Sequence, residues 1–385
     1  MRIGIDIRCL EEGRRTGVEE YTLNLLANLF SIDKENEYVL FFNSFKKPDF
    51  DLSWTEKYPN VRVKFFRFPN KFLNFCFWYF DRPFIDRMIG RVDLFFMPNI
   101  SFGAFTKKVK LVTTVHDLSF EYYPETFSWK RRLWHVFVNP RKLCKRANKI
   151  ITVSRSTADD LKNLYKISSN KIEVIYSGVD ESFKTIDRND IKLIEIKEKY
   201  GLPYKFILFL STIEPRKNIV GLVRAYNQMR KIKNSELDKY KLVIAGSPGW
   251  KQKEIISEIS QSEFSKDILL IGEVDDADKV YLYNLAMLFV YPSFFEGFGF
   301  PPLEAMKCKT IVLASNNSSL PEVVGEGGIQ VDPKKPDEIF RAMKEILLDK
   351  NLQSKLRDNG TKQSQKFNWQ KTAEEFLKVI DKVGK

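Results

Sequence analysis

The stretch at residues 289–313, FVYPSFFEGFGFPPLEAMKCKTIVL, constrains the chain more than any other. A short apolar run breaks into a loop carrying Gly297 and Gly299. Pro301 and Pro302 follow where a helix must begin, because a proline at a helix start forfeits no hydrogen bond. Strand, glycine loop and helix start in this order make an anion site. The first amides of a helix lack intrahelical acceptors, and the positive end of its dipole points the same way. The predicted guest is a phosphate. Two carboxylates bracket the loop with seven residues between them, Glu296 before the glycines and Glu304 in what reads as the first helical turn. Carboxylates do not bind phosphate but accept hydrogen bonds from hydroxyls, so the pair suits a ligand with hydroxyls on both sides of a diphosphate, as in a nucleotide sugar. The plainer alternative makes Glu304 a favourable helix-start charge and Glu296 a loop surface residue.

The rest of the chain repeats the same local plan. Residues 2–9 alternate Ile3, Ile5 and Ile7 as a strand, followed by a loop with Gly13 and Gly17 and the helical pattern Tyr21, Leu25, Leu26, Leu29. No GxGxxG follows that strand, so no dinucleotide fingerprint is present. Further strands are predicted at 38–42, 61–66, 92–97, 111–115, 150–153, 171–176, 206–210, 241–245, 268–271 and 311–314, and Ser156 reads as the cap of a helix from Thr157. Strands alternating with helices predict α/β doubly wound sheets, whose ligands sit at the carboxyl ends of the strands. His116-Asp117 ends one strand and is therefore a site candidate, whereas His135 lies in a basic helix and reads as incidental. Arg216 and Lys217 follow another strand just before a helix, poised to neutralise a diphosphate. With 385 residues the chain exceeds one core, and two domains are expected.

The segment EGFGFPPLE with its Glu-x7-Glu spacing resembles the retaining glycosyltransferases of family 4, and so do TGVEEYTLNLL, the His116-Asp117 pair, SGVD at 177–180 and the EPRKN form at 214–218. The resemblance covers most of the chain. It implies a GT-B fold, two Rossmann-like doubly wound domains facing a central cleft: an acceptor domain at 1–180, a linker at 181–202, a nucleotide-sugar domain at 203–366, and a last helix at 367–385 crossing back to the first domain. It also implies roles. Gly17 approaches the donor diphosphate, Lys217 and Arg216 neutralise it, and the backbone of Gly297, Phe298 and Gly299 receives it. Glu296 holds sugar hydroxyls, Glu304 the ribose, and Val274, after Gly272, lines the base pocket. His116 contacts the donor sugar or polarises the acceptor, and Asp117 fixes its tautomer or meets the acceptor. Many relatives carry Gly-Arg where this chain has Ser211-Thr212, so one expected cation is missing and Arg216 takes its place, with Thr212 still facing the donor. The EPRKN form is similar to a mannosyltransferase-rich subgroup. That implies GDP-mannose as donor, ahead of a UDP-sugar, and a glycan or polyprenyl-diphosphate-linked acceptor in cell-surface polysaccharide synthesis. A nucleotide-sugar epimerase of the same fold would share the phosphate site but need no acceptor.

Charge supplies the remaining clues. Of the net +13, residues 1–180 carry +9, from 30 Lys and Arg against 21 Asp and Glu. Two stretches concentrate it. Residues 71–91 pack Phe72, Phe75, Phe77, Trp78, Tyr79, Phe80 and Phe84 between basic residues, and residues 129–149 interleave eight Lys and Arg with Trp129, Leu133, Trp134, Val136 and Phe137. Such composition suits an anionic membrane surface; a buried core helix and a solvated charged face are the alternatives. A nucleic-acid partner would use the second stretch but leave the Glu pair unexplained, and a lectin-like module would bind sugar without turnover, so no nucleic acid is expected. Cys9, Cys76, Cys144 and Cys308 form no CxxC, and Asp275, Asp276 and Asp278 read as helix-start charges rather than a metal-binding DxD; neither metal nor cofactor is expected. The first residues read as a strand and not a signal peptide, and no run of eighteen apolar residues occurs. A cytoplasmic protein, peripheral on the inner face of the membrane, is the resulting expectation.

Overall fold

The apolar runs become strands that pair only in parallel, and parallel pairing decides the rest, because each connection must cross over through a helix and cover a face of the sheet. The computed structural model describes residues 1–11, 16–45 and 51–384. One sheet holds β1 (Arg2–Asp6), β2 (Glu37–Asn43), β3 (Val61–Phe66), β4 (Leu94–Met97), β5 (Lys110–Val115), β6 (Lys149–Thr152) and β7 (Ile172–Val174), in the order β3-β2-β1-β4-β5-β6-β7. The other holds β8 (Phe206–Leu210), β9 (Lys241–Ala245), β10 (Ile268–Gly272), β11 (Leu288–Tyr291), β12 (Val312–Ser315) and β13 (Gly328–Val331), in the order β10-β9-β8-β11-β12-β13. Covered on both faces, central strands such as β4 (LFFM), β8 (FILFL) and β11 (LFVY) are buried at every residue.

The order reverses once in each sheet. The chain moves outward from β1 through β2 to β3 and returns to β4 on the other side of β1; from β8 it moves to β9 and β10 and returns to β11. Loops leaving the two strands at a reversal part to opposite faces and open a crevice at the carboxyl ends. In the second sheet Phe289 pairs with Leu208, which sets the ends of β8 and β11 side by side.

The chain divides into two compact units, Met1–Leu118 with Trp129–Gly178 and Asn368–Lys385, and Ser119–Ser128 with Val179–Phe367. The change of unit falls inside the SGVD turn. Residues 181–202, read as a linker, group with the second unit: the Ile186 amide donates to Asn284 Oδ1 at 2.8 Å, and Lys199, near the end of the helix Ile191–Lys199, reaches Asp275 and Asp278 at 2.6 Å each. The C-terminal helix Trp369–Gly384 belongs to the first unit. Its Phe376 ring lies 4.5 Å from that of Phe96, Thr372 donates to the Tyr176 carbonyl at 2.8 Å, and a Cβ at Gly178 would stand 2.2 Å from the Trp369 amide nitrogen.

Three details depart from the sequence reading. Strand β13 was not predicted, since GIQV is short and opens on glycine. The helix Arg155–Tyr165 is capped by Ser154, whose hydroxyl accepts from the Thr157 amide at 3.1 Å, and not by Ser156. Glu304 is the fifth residue of the helix Phe300–Lys307 and so lies in its second turn, past the reach of the helix-start argument. Gly13 lies outside the described residues.

Phe376 is fully buried against Phe96. Phe376→Ala should cost about 3–5 kcal/mol through the cavity it leaves. Thermal unfolding checks this; a midpoint unmoved by more than about 2 °C would show that the helix does not complete the first core.

Candidate functional site

In the second unit, two loops meet at the reversal between β8 and β11. The first turns through Pro215–Lys217 to Asn218, which adopts the left-handed conformation (φ 55°) and caps the helix Ile219–Lys231 by accepting from the Gly221 amide at 3.2 Å. That turn sends Lys217 inward. Its Nζ lies 2.6 Å from Glu296 Oε1 and donates to the Tyr291 hydroxyl at 2.7 Å, which commits two of its three N–H groups. Arg216 forks across the same loops: Nη2 donates to Glu214 Oε1 at 2.7 Å, while Nη1 donates to the Phe295 carbonyl at 2.5 Å and lies 3.2 Å from Glu296 Oε2. Backbone joins them as well, the Phe294 amide donating to the Arg216 carbonyl at 2.8 Å.

Glu214, Lys217 and Glu296 are all buried, so two cations and two carboxylates balance where water is scarce. The sequence reading gave the cations to phosphate and Glu296 to hydroxyls; the structure ties them into one network. Burial alone would raise the Glu296 pKa, but the charges of Lys217 and Arg216 outweigh it and bring the carboxyl down to about 2. Burial pulls the Lys217 pKa down while Glu296 pushes it up, and the result is upward, so the ammonium stays charged. Burial, with Glu296 nearby, raises the Tyr291 phenol and keeps it neutral.

Glu296 leads into the glycine loop. Its amide donates to Ser318 Oγ at 3.0 Å, and the Ser319 hydroxyl stands 2.9 Å from the Glu296 carbonyl and 2.7 Å from that of Phe298. The carbonyls are thus turned toward Ser319, while the amides of the buried residues Gly297, Phe298 and Gly299 donate to no acceptor among the described residues. Successive backbone N–H groups without a protein acceptor have the chemistry that an anion cradle needs. Pro301 and Pro302 bring no N–H to the helix start, so the loop rather than the first helical turn supplies the donors. Gly299 takes φ 115°, open to glycine, and a Cβ there would approach Leu320 Cδ2 to 2.8 Å.

Beyond the loop, Glu304 is half-buried and its Oε2 accepts from the hydroxyl of buried Tyr283 at 2.8 Å. Burial, together with the Glu304 charge, raises the Tyr283 phenol well above its ordinary value, so it remains a donor. Val274, after β10, is buried, and Thr212, after β8, is exposed. Asp275 and Asp278 are held by Lys199, with Tyr200 also donating to Asp278 at 2.9 Å, and Asp276 pairs with Lys279. These acids thus serve ion pairs, and Asp278 makes no side-chain cap bond to the helix Lys279–Leu285. Sequence reasoning missed Tyr291, Tyr283 and the part of Glu214. The one signal available for Tyr291 was a polar tip closing a wholly apolar strand.

In the first unit, His116 follows β5, the neighbour of β4 at that sheet's reversal. Its Nε2 lies 2.9 Å from the Pro98 carbonyl, which can only accept, so Nε2 carries the proton and Nδ1 is the basic nitrogen. The imidazole stands edge-on to Tyr21 at 4.8 Å, and Thr157 donates to the His116 carbonyl at 3.0 Å. Burial lowers the His116 pKa against the opposing pull of the Pro98 carbonyl and Asp117, so the ring is neutral near pH 7. Asp117 is half-buried beside it. Gly17 is the first residue of the helix Gly17–Ile32, and the Thr16 amide before it donates to Glu19 at 2.7 Å.

Comparison with known proteins identifies the family. Residues 15–183 match the family description Glycosyltransferase Family 4, and residues 192–363, which include the whole loop network, match Glycosyl transferases group 1. The chain is 36% identical over 267 residues to the serotype-specific mannosyltransferase WbdA of Escherichia coli, an alignment covering 69% of this chain and 32% of WbdA, so it spans about a third of that relative's length. It is 33% identical over 262 residues to the O-antigen chain mannosyltransferase B of Escherichia coli, covering 68% and 67%. Among solved structures, sucrose-phosphate synthase from Thermosynechococcus elongatus superposes with a TM-score of 0.76 at 20% identity, over 100% of this chain and 99% of that one. That likeness identifies the fold as GT-B.

Between pH 4.5 and about 2 the unfolded state binds a proton at Glu296 that the folded state does not. The stability contributed by charged Glu296 is therefore complete above pH 4.5 and fades as the pH falls toward 2, a span worth roughly 3 kcal/mol. Glu296→Gln strands Lys217 and Arg216, so urea unfolding at pH 7 should show a clear loss. The gap to wild type should narrow at pH 3, and a gap constant with pH would contradict the ion pair.

Proposed function

Because the chain belongs to the glycosyltransferases, with a family 4 segment followed by a group 1 segment, we propose that it transfers a hexose from a nucleotide-diphospho-sugar to a glycan or polyprenyl-diphosphate-linked acceptor in cell-surface polysaccharide synthesis. Mannose from GDP-mannose is the favoured donor, since the relatives named above are mannosyltransferases. The observation that carries this reading is the row of amides at 297–299, in buried residues and without an acceptor among the described residues, set between two anchored carboxylates.

Such a loop suits the diphosphate. Lys217 brings its remaining N–H and its charge to the same place, and Glu296 and Glu304 take hydroxyls of the hexose and the ribose. As the bond from the anomeric carbon to the diphosphate oxygen breaks, its electron pair goes to the leaving nucleoside diphosphate, and preorganised amides and ammonium stabilise the charge that develops. The acceptor hydroxyl oxygen bonds to the anomeric carbon on the same face, and its proton passes to the departing phosphate oxygen, so the anomeric configuration is retained. Glu296 stays ionised and steadies the cationic character of the sugar. Neutral His116, basic at Nδ1, hydrogen-bonds the donor sugar or acceptor hydroxyl. No metal takes part in this scheme.

Slow release of nucleoside diphosphate from a panel of nucleotide sugars tests the donor: GDP-mannose should turn over fastest. Lys217→Ala and Glu296→Ala should each lower kcat by about 10²–10³ while the donor is still bound. Release only from UDP-sugars would reassign the donor, and sugar interconversion without acceptor would identify an epimerase. An inverted anomer by NMR would refute the same-face step.

A further inference from the structure

The helix Asn70–Phe80 in the first unit buries only Leu73 and Phe77. Its outward side carries Phe72, Phe75, Trp78, Tyr79 and Phe80 where a surface helix ordinarily carries polar residues. These rings pack on one another instead of on a core: Phe75 stacks on Tyr79 at 5.6 Å with planes 6° apart, and Tyr79 meets Phe80 edge-on at 4.9 Å. The ridge continues onto the helix Trp129–Val138, in which no residue is buried; there Phe137 lies 4.8 Å from Trp78. The outward apolar side chains of the two helices are exposed by 38% at Phe137 to 70% at Val136, and the Trp78–Phe137 contact joins them into one apolar surface.

We propose that this ridge docks the protein on an anionic lipid bilayer, lying in the interface and not crossing it. Three observations choose this occupant. Among the described residues no helix is long and apolar enough to span a membrane. The exposed side chains are mostly Trp, Tyr and Phe, the residues that settle at the level of lipid headgroups. The surround is cationic: residues 129–149 hold eight Lys and Arg and no Asp or Glu, and the other helix carries Lys71 in its first turn with Arg82 and Arg87 following it. Of these, Lys130, Arg132, Arg141, Lys142 and Lys145 are exposed and make no ion pair among the described residues. Their charge complements phosphate headgroups. A second copy of the chain would set the same cations face to face, which like-charge repulsion opposes.

Flotation of the whole protein with vesicles tests the proposal without any turnover. Binding should be about tenfold or more tighter to phosphatidylcholine vesicles containing phosphatidylglycerol than to phosphatidylcholine alone, and should weaken with salt. The triple variant Phe75→Ser, Trp78→Ser, Tyr79→Ser should lose about tenfold or more of that binding with an unchanged melting temperature. Arg132→Glu with Lys142→Glu touches no packed side chain and should do the same should the triple variant fold poorly. No binding to the anionic vesicles, or full binding by the charge-reversal variant, would overturn the proposal. So would a lipid-free dimer of the wild type that the triple variant abolishes.

Discussion

The glycine loop of the second unit is anchored by the buried contact between Lys217 and Glu296. Each side chain alone would be an uncompensated charge away from water; together, with Arg216 and Glu214 balancing them, they form a neutral set. The pair bridges loops that leave two adjacent parallel strands, β8 and β11, and clamps them across the reversal of strand order. The crevice that doubly wound topology opens is thereby given a fixed wall.

That wall determines how the glycine loop presents itself. With Glu296 held by Lys217 and its amide by Ser318, the carbonyls of Glu296 and Phe298 face Ser319, so the amides of Gly297 and Gly299 in the same peptide planes point away from it. Two prolines at the start of the next helix remove donors that would otherwise compete in direction, so the loop backbone acts alone. Tyr283 fixes Glu304 at the far side. Donors, ammonium and carboxylates are all oriented before a ligand arrives, which is the condition for electrostatic stabilisation without reorganisation.

The first unit follows a different logic. Its candidate site residue, His116, is kept neutral by burial and assigned a tautomer by a backbone carbonyl, and its core is completed by a helix from the far end of the chain. Its most unusual surface is polar only at the margin. The cations around the aromatic ridge account for most of the charge bias toward the first half of the sequence.

The residues by themselves determined the plan: buried apolar runs of four to seven residues alternating with amphipathic helices permit little besides parallel doubly wound sheets, and the two glycines between Glu296 and Glu304 place a loop between a strand and a helix. Those signals are local, carried by periodicity and turn chemistry within a few residues. Tertiary structure alone decided that Lys217 faces Glu296, 79 residues away in sequence, and that Glu304 answers to Tyr283 from a second helical turn. It also decided that Asn70–Phe80 turns its rings outward, because a helix apolar on every side carries no mark of which face the core will take. Pairing between distant loops is set by strand order, and strand order is written in no single segment.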